Sequence, residues 1–293
     1  MVHDRTMQGA HRRCAPFFIL LLCLFTYPAQ AQDIALPERC QVPTRDHGSA
    51  RVEFVYDGDT VRLQDGRRVR LISLDTPEFN HRNDALEPEP FAEEARQALT
   101  ELLAAHGNRV RLVHDRERED RYQRSLAHLF TPDGQSITAL MLARGLGMRL
   151  TIPPNDWNID CYQDAERFAG NAELGIWSLG QNRLFEAADL PRDSDGFRRV
   201  EGRITRIGES RRAIWINLEG DVALRIDRQD LGYFPDLSVE QLQQLVGMQV
   251  RGRGYVYTHR GQLRIRLRHA ADLTLPVIDT ATPLVKPDTV TEP

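Results

Sequence analysis

The stretch RVEFVYDGDTVRLQDGRRVRLISLDTPE, Arg51 to Glu78, decides the fold. Val, Phe and Tyr dominate Arg51 to Tyr56, and Asp57-Gly58 marks a turn. The runs Thr60 to Gln64 and Arg67 to Leu74 flank Asp65-Gly66, the strongest short hairpin signal. Three consecutive antiparallel strands are expected. Pro90 to His106 then places Phe91, Ala95, Ala98, Leu99, Leu102 and Leu103 at helical spacing. Strands are predicted at 109–114 and 125–130, and helices at 136–144 and 160–172. Three strands, a helix, two strands and a helical tail predict an α+β, mainly β fold, a five-stranded barrel of the OB type.

Outward from that core, the chain has 293 residues, 41% hydrophobic and 27% charged, with a formal charge of −4. This composition excludes collagen-like, coiled-coil and wholly disordered classes and allows two modest domains. It gives no global basic footprint. Lys286 is the only lysine; a GC-rich genome explains that plainly, although guanidinium forks also suit phosphate.

Arg12 and Arg13 precede an apolar run from Ala15 to Tyr27 and then Ala29-Gln30-Ala31. That is the order of a secretory signal peptide, with cleavage expected near Ala31 and export to the periplasm or beyond. The run is shorter than the roughly 20 apolar residues that span a bilayer, so no stable membrane insertion is expected. Cleavage removes Cys14 and Cys23. The remaining Cys40 and Cys161 are expected to form a disulfide, two buried thiols being the alternative. No Cys or His cluster has zinc spacing, so a metal here would need oxygen ligands.

Charge divides the mature chain. Residues 50–180 hold 16 arginines against 22 carboxylates, whereas residues 197–275 hold 14 against 9. The expected organisation is a signal peptide (1–31), an N-terminal segment (32–49), a first barrel (50–180) and a polar linker (181–196). A second domain (197–275) and a disordered Pro- and Thr-rich tail (276–293) follow.

Candidate chemistry sits at the strand ends. Asp59 follows a tight turn, and Asp75 ends the third strand before Thr76-Pro77-Glu78. Alone, each piece has a plain explanation as a turn or a helix start. Together they put two strand-end carboxylates, a third at Glu78, and Arg70 in one hairpin unit. Clustered carboxylates are unfavourable unless a cation or a bound proton compensates them.

These residues resemble the thermonuclease (staphylococcal nuclease-like) family. The resemblance lies in Asp57-Gly58-Asp59-Thr60, in Arg70 through Glu78, and in Asp120-Arg121-Tyr122-Gln123-Arg124-Ser125-Leu126-Ala127. It continues in Leu142-Ala143-Arg144-Gly145-Leu146 and Gly175-Ile176-Trp177-Ser178. It runs in the family's order over residues 50–180 and implies a calcium-dependent phosphodiesterase acting on DNA and RNA. By position it implies that Asp59 and Asp75 hold Ca2+ together with the Thr76 carbonyl. Glu78 would be the general base or water-positioner, and Arg70 and Arg124 would clamp the phosphate. Calcium takes about six to eight oxygen ligands, so such a site leaves places for water and a phosphate oxygen. Two bidentate arginines suit the charge that develops on the equatorial oxygens.

Some positions depart from the family pattern. Gln123 and Ser125 flank Arg124 where glycines are common, and the hairpin between Asp59 and Arg70 is shorter. Leu150-Thr151-Ile152-Pro153 stands where family members can carry base-stacking tyrosines. Tyr122 remains, with Arg121 in place of the usual lysine, and both are expected to bind substrate.

The second domain carries no comparable motif. Strands are predicted at 199–207, 213–218, 222–226, 249–257 and 262–268, with a helix at 238–246, again an OB-like order. Alternation puts Arg251, Arg253, Tyr255 and Tyr257 on one face and Arg264, Arg266 and Arg268 on another. The first set is a candidate stacking-and-phosphate platform; a solvated face with no ligand is the alternative. The expected whole is an exported calcium-dependent nuclease, acting as a monomer, whose basic second barrel aids binding and not chemistry. The alternatives are a catalytically inactive nucleic-acid-binding module and an envelope structural protein.

Overall fold

Alternating apolar residues close the first barrel. The computed structural model describes residues 40, 42–43, 48–79, 87–235 and 237–276, with Met1. β1 (Ser49–Val55), β2 (Thr60–Leu63), β3 (Arg68–Leu71), β4 (Arg109–Val113) and β5 (Ser125–Phe130) join in the closed order β1-β2-β3-β5-β4. Only the β3–β5 pair is parallel. Val52, Val61, Leu63, Val69, Leu71, Val110, Leu112, Ala127 and Leu129 fill the interior at no more than 4% exposure, as the alternation of strand side chains requires.

α1 (Ala92–Ala105) connects β3 to β4 and lays Ala95, Leu99 and Leu103 on this core. α2 (Ile137–Ala143) is buried throughout, its N-terminus capped by Ser136, which accepts the Ala139 amide. α3 (Ile159–Asn171) carries Cys161, joined to Cys40 by a disulfide. The third strand ends at Leu71, short of the expected Leu74. Ser73 adopts a left-handed conformation (φ 61) that turns the chain, and Asp75 then bridges to Met148.

The second barrel repeats the topology. β6 (Leu184–Glu186) lies parallel to β7 (Phe197–Glu209). β8 (Ala213–Leu218), β9 (Val222–Asp227), β10 (Gln249–His259) and β11 (Gln262–Leu267) complete the order β7-β8-β9-β11-β10, with β10 returning to β7. The β9–β11 pair is parallel, as β3–β5 is in the first barrel. α4 (Val239–Gln244) connects β9 to β10, and β12 (Leu273–Thr274) pairs with β10. Val250, Val256, Ile265 and Leu267 lie in the core.

Residues 181–196, expected as a polar linker, carry three side chains that pack on the second barrel. Phe185, Ala187 and Leu190 are buried in the second core, and the polar residues between them hide this in the sequence. Both barrels belong to one compact unit. Arg149, 1% exposed, donates to the Ala271 carbonyl at 2.8 Å and to Asp272 at 3.2 Å. Arg253 of β10 pairs with Glu166 of α3 and donates to the Arg149 carbonyl at 2.9 Å. The expected signal peptide beyond Met1, most of segment 32–49 and the expected tail beyond 276 lie outside the described residues. Among the described residues no helix is long and apolar enough to cross a membrane.

Candidate active site

Two turns and one strand gather the acidic residues. Between β1 and β2, Asp57 accepts the Asp59 amide at 3.0 Å, an Asx turn that aims Asp59. Gly58 tolerates no side chain, because a Cβ would lie 2.7 Å from Ala95 Cβ and from Thr76 Cγ2. Asp59 is 1% exposed. Its Oδ1 accepts the Thr60 hydroxyl at 2.9 Å, and its Oδ2 accepts the Thr76 amide at 3.0 Å and hydroxyl at 3.2 Å.

Arg70, on β3, bridges both acids. Nη1 pairs with Asp59 Oδ2, and Nη2 donates to Asp75 Oδ1 at 2.7 Å. The Asp75 backbone exchanges hydrogen bonds of 2.9 and 2.8 Å with Met148. The other Asp75 oxygen, Oδ2, accepts a hydrogen bond from the Tyr255 hydroxyl of β10. Loss of water around that hydroxyl, and then the Asp75 charge, raise the Tyr255 pKa and keep the phenol a donor.

Glu78 lies on the exposed side of this group. Its amide donates to Glu89 Oε2 at 3.0 Å. Partial desolvation of the carboxylate, then Asp57, Asp75 and Glu89, raise its pKa, while Arg70 lowers it. A cation would relieve that accumulated negative charge. The available donors, the Asp59 and Asp75 carboxylates and the Thr76 carbonyl, are all oxygen and suit a hard ion. Among the described residues no three His, Cys, Asp or Glu side chains gather round one point. Arg70 supplies the positive charge between the two acids.

Arg124 stands just ahead of β5. Asp120 Oδ1 accepts the Arg124 amide at 2.9 Å, and Oδ2 accepts Arg124 Nε at 2.7 Å. Burial works against the Asp120 charge, but the Arg124 amide and guanidinium hold its pKa below the usual range. Gln123 takes φ 61 to close this turn, a left-handed conformation that glycine adopts with less strain. A cleft of about 430 Å³ is lined by Arg70, Arg121, Tyr122 and Arg124. Arg121 lies 4.7 Å over the ring of Tyr122 and donates to its hydroxyl at 2.7 Å. Asp59, Asp75, Thr76 and Glu78 adjoin the cleft through Arg70 and are not part of its lining.

Each of the four residues grouped on one face of β10 has a partner within the protein. Arg251 pairs with Glu201 on the neighbouring strand, Arg253 with Glu166, and Tyr255 with Asp75. The Tyr257 hydroxyl accepts from Arg225 of β9 at 3.1 Å. The strand changes partner between them, pairing with β7 up to Tyr255 and with β11 from Val256. Gly254 permits the change, with φ +153 and the Arg266 carbonyl 2.9 Å from where a Cβ would stand. Asp57 and Asp120, which position Asp59 and Arg124, are not singled out as site residues in the sequence. For Asp120 a signal exists, an acid four residues before an arginine in a turn-forming run.

Residues 68–179 match the family model described as staphylococcal nuclease homologue. A thermonuclease from Staphylococcus intermedius is 35% identical over 129 residues, 43% of this chain and 74% of that protein. Another from Staphylococcus hyicus is 31% identical over 132 residues, 44% of this chain and 75% of that protein. An uncharacterized endonuclease of Escherichia coli O157:H7 is 29% identical over 162 residues, 54% of this chain and 87% of that protein. The closed barrel, the strand-end acids beside Arg70, and these likenesses agree: the chain belongs to the thermonuclease-like family of staphylococcal nuclease homologues.

Proposed function

We propose that the protein is an exported, calcium-dependent nuclease that hydrolyses phosphodiester bonds of DNA and RNA. The observation that carries this reading is the Asp59–Arg70–Asp75 bridge beside a cleft that also presents Arg124. Asp59, Asp75 and the Thr76 carbonyl fit a hard cation by donor type, and the crowded carboxylates around Glu78 favour one electrostatically. When bound, Ca2+ supplies Lewis-acid polarisation of a phosphoryl oxygen.

The chain's own residues do the rest. Asp120 occupies Arg124 Nε, which fixes the plane of the fork and leaves its outer nitrogens for phosphate oxygens. Arg70 is held between two carboxylates and is pre-positioned to meet charge that develops on the phosphate. Glu78, with a raised pKa, is suited to take a proton from the attacking water. Tyr122 offers an exposed ring for a base. Export is supported by the Cys40–Cys161 disulfide, since such bonds persist in oxidising compartments.

The test incubates purified mature protein with single- and double-stranded DNA and RNA, with calcium or with a chelator. Cleavage of both acids that disappears in chelator is the expected result. Cleavage unaffected by chelator would remove calcium from the mechanism, and no cleavage at all would leave the inactive binding module.

A further inference from the structure

The cleft between Arg70 and Arg124 has a fourth arginine, and it comes from the second barrel. Arg268 follows β11 directly and lines the same space. Its neighbours hold it in place from both sides. Leu267 is fully buried in the second core. Beyond it, His269 accepts the Ala271 amide at 3.0 Å, and the buried Arg149 of the first barrel grips the Ala271 carbonyl and Asp272.

Arg268 differs from the other cleft arginines in having no hydrogen-bond or ion-pair partner among the described residues. Arg70 is held by Asp59 and Asp75, Arg124 by Asp120, and Arg121 lies on Tyr122. The carboxylates that act on Arg268 electrostatically are Asp227, Asp230 and Asp272. Asp227 already pairs with Arg225 and Arg266, Asp230 with Arg266, and Asp272 with Arg149. The Arg268 Nε is buried with no hydrogen-bond partner among the described residues. Burial and the Arg266 charge lower its pKa, but a guanidinium stays charged at neutral pH. Four arginines face two carboxylates, Glu117 and Asp120, in this cleft. Arg268 lines the cleft, and a phosphate there would meet a guanidinium fork that no carboxylate of the described residues occupies and form a charge-assisted bond with it.

We propose that Arg268 binds a backbone phosphate of the substrate strand next to the one that is cut, so that the substrate cleft is built from both barrels. The proposal rests on the nuclease reading above for the identity of the strand. It makes the second barrel a wall of the site, in place of a remote basic surface.

The experiment measures binding of a fluorescent single-stranded oligonucleotide by anisotropy in chelator, across a salt series, for wild type, Arg268→Ala and Arg268→Lys. Arg268→Ala is expected to weaken binding about tenfold and to reduce the slope of log K against log salt by about 0.7, one phosphate contact. Arg268→Lys should keep the slope and lose part of the affinity, since a point charge cannot form the fork. Thermal midpoints should move little, because the side chain makes no hydrogen bond among the described residues. Unchanged affinity and slope in Arg268→Ala, or no binding by wild type, would overturn the proposal. Cleavage assays run in parallel separate the two readings. With calcium, Arg268→Ala should raise KM and keep kcat on long strands, and match wild type on a dinucleotide, which has no flanking phosphate. A wild type that binds strands with this salt slope but cuts none would refute the nuclease reading alone.

Discussion

The Tyr255 hydroxyl donates a hydrogen bond to Asp75 across 180 residues of sequence and from one barrel to the other. Asp75 is thereby held at three points: Arg70 on one oxygen, Tyr255 on the other, and Met148 along the backbone. The strand-end acid that would take a cation is oriented partly by a domain outside the matched span of 68–179. Second-barrel residues therefore reach the proposed site at two places, at Asp75 through Tyr255 and in the cleft through Arg268.

Tyr255→Phe removes only the hydroxyl and leaves the ring against Phe197, 6.0 Å away. Partners that orient a metal-ligating carboxylate typically contribute about 10–100-fold in metal affinity or activity. The calcium concentration for half-maximal activity is expected to rise by an amount at the lower end of that range. Calorimetric titration with calcium in the absence of substrate should show the same weakening. Identical calcium titrations for Tyr255→Phe and wild type would mean that the hydroxyl plays no part in holding Asp75 for a cation.

Glu78→Gln should leave the fold intact, because the Glu78 contact with Glu89 Oε2 uses its backbone amide and not its carboxylate. General-base catalysis typically contributes about 10²–10⁴-fold, so kcat should fall by that factor with KM little changed. Near-normal turnover in single-turnover assays would exclude Glu78 as the base.

Both barrels are legible in the sequence, because Asp-Gly turns and period-two alternation act over a few residues. The proximity of Asp59, Arg70 and Asp75 is legible for the same reason: they sit at the ends of strands that pair with one another. Alternation says which residues share a strand face but not what covers that face. Arg253 and Tyr255 read as a free platform, yet their partners Glu166 and Asp75 lie 87 and 180 residues earlier. The packing of 181–196 was hidden because Phe185, Ala187 and Leu190 are spaced among polar residues. Ser73 in a left-handed turn ended β3 early, against the β propensity of Ile72 and Leu74.

The Arg253–Glu166 pair gives the contact between barrels a measurable strength. Glu166 is 6% exposed and Arg149 also lies on it, so all three charges are withdrawn from water. Burial disfavours the Glu166 charge, but Arg253 and then Arg149 hold its pKa below the usual range. Removing one partner of a buried pair typically costs about 3–5 kcal/mol. Arg253→Ala should therefore lower stability by about 3 kcal/mol in urea unfolding. Glu166→Gln combined with Arg253→Ala should cost less than the two single changes added. Strict additivity would show that the pair is not energetically coupled.

His128 sets a pH dependence of stability. It is fully buried, with Nδ1 2.7 Å from the Tyr162 hydroxyl, and burial lowers its pKa despite Asp115 nearby. The folded chain thus resists protonation where the unfolded chain, at about 6.5, accepts it. Below that value the unfolded state binds more protons, so stability declines as pH falls and is regained as pH rises. A drop of a few degrees in Tm between about pH 7 and pH 5 is expected. His269, also lowered by burial, contributes in the same direction. His128→Asn should therefore reduce the drop without abolishing it. A Tm that declines equally in variant and wild type would assign the effect elsewhere.

Deleting the chain after Gly180 separates a tethered second barrel from one built into the site. A barrel on a free linker would raise local substrate concentration only, so loss of it would affect long strands and spare dinucleotides. The packed segment 181–196, the Arg149 grip on residues 271–272 and the Tyr255–Asp75 bond lead to a different expectation. The shortened chain should lose calcium affinity and turnover on dinucleotides as well, because Asp75 loses a holding bond whatever the substrate length. Its salt dependence on long strands should also become shallower as the second-barrel arginines go. Circular dichroism and thermal unfolding establish whether the shortened chain folds. Where it does not, the full-length double variant Tyr255→Phe with Arg268→Ala carries the same test, since neither change touches the core of either barrel. Dinucleotide turnover and calcium response that match wild type in a folded truncation would return the second barrel to the role of a tethered accessory.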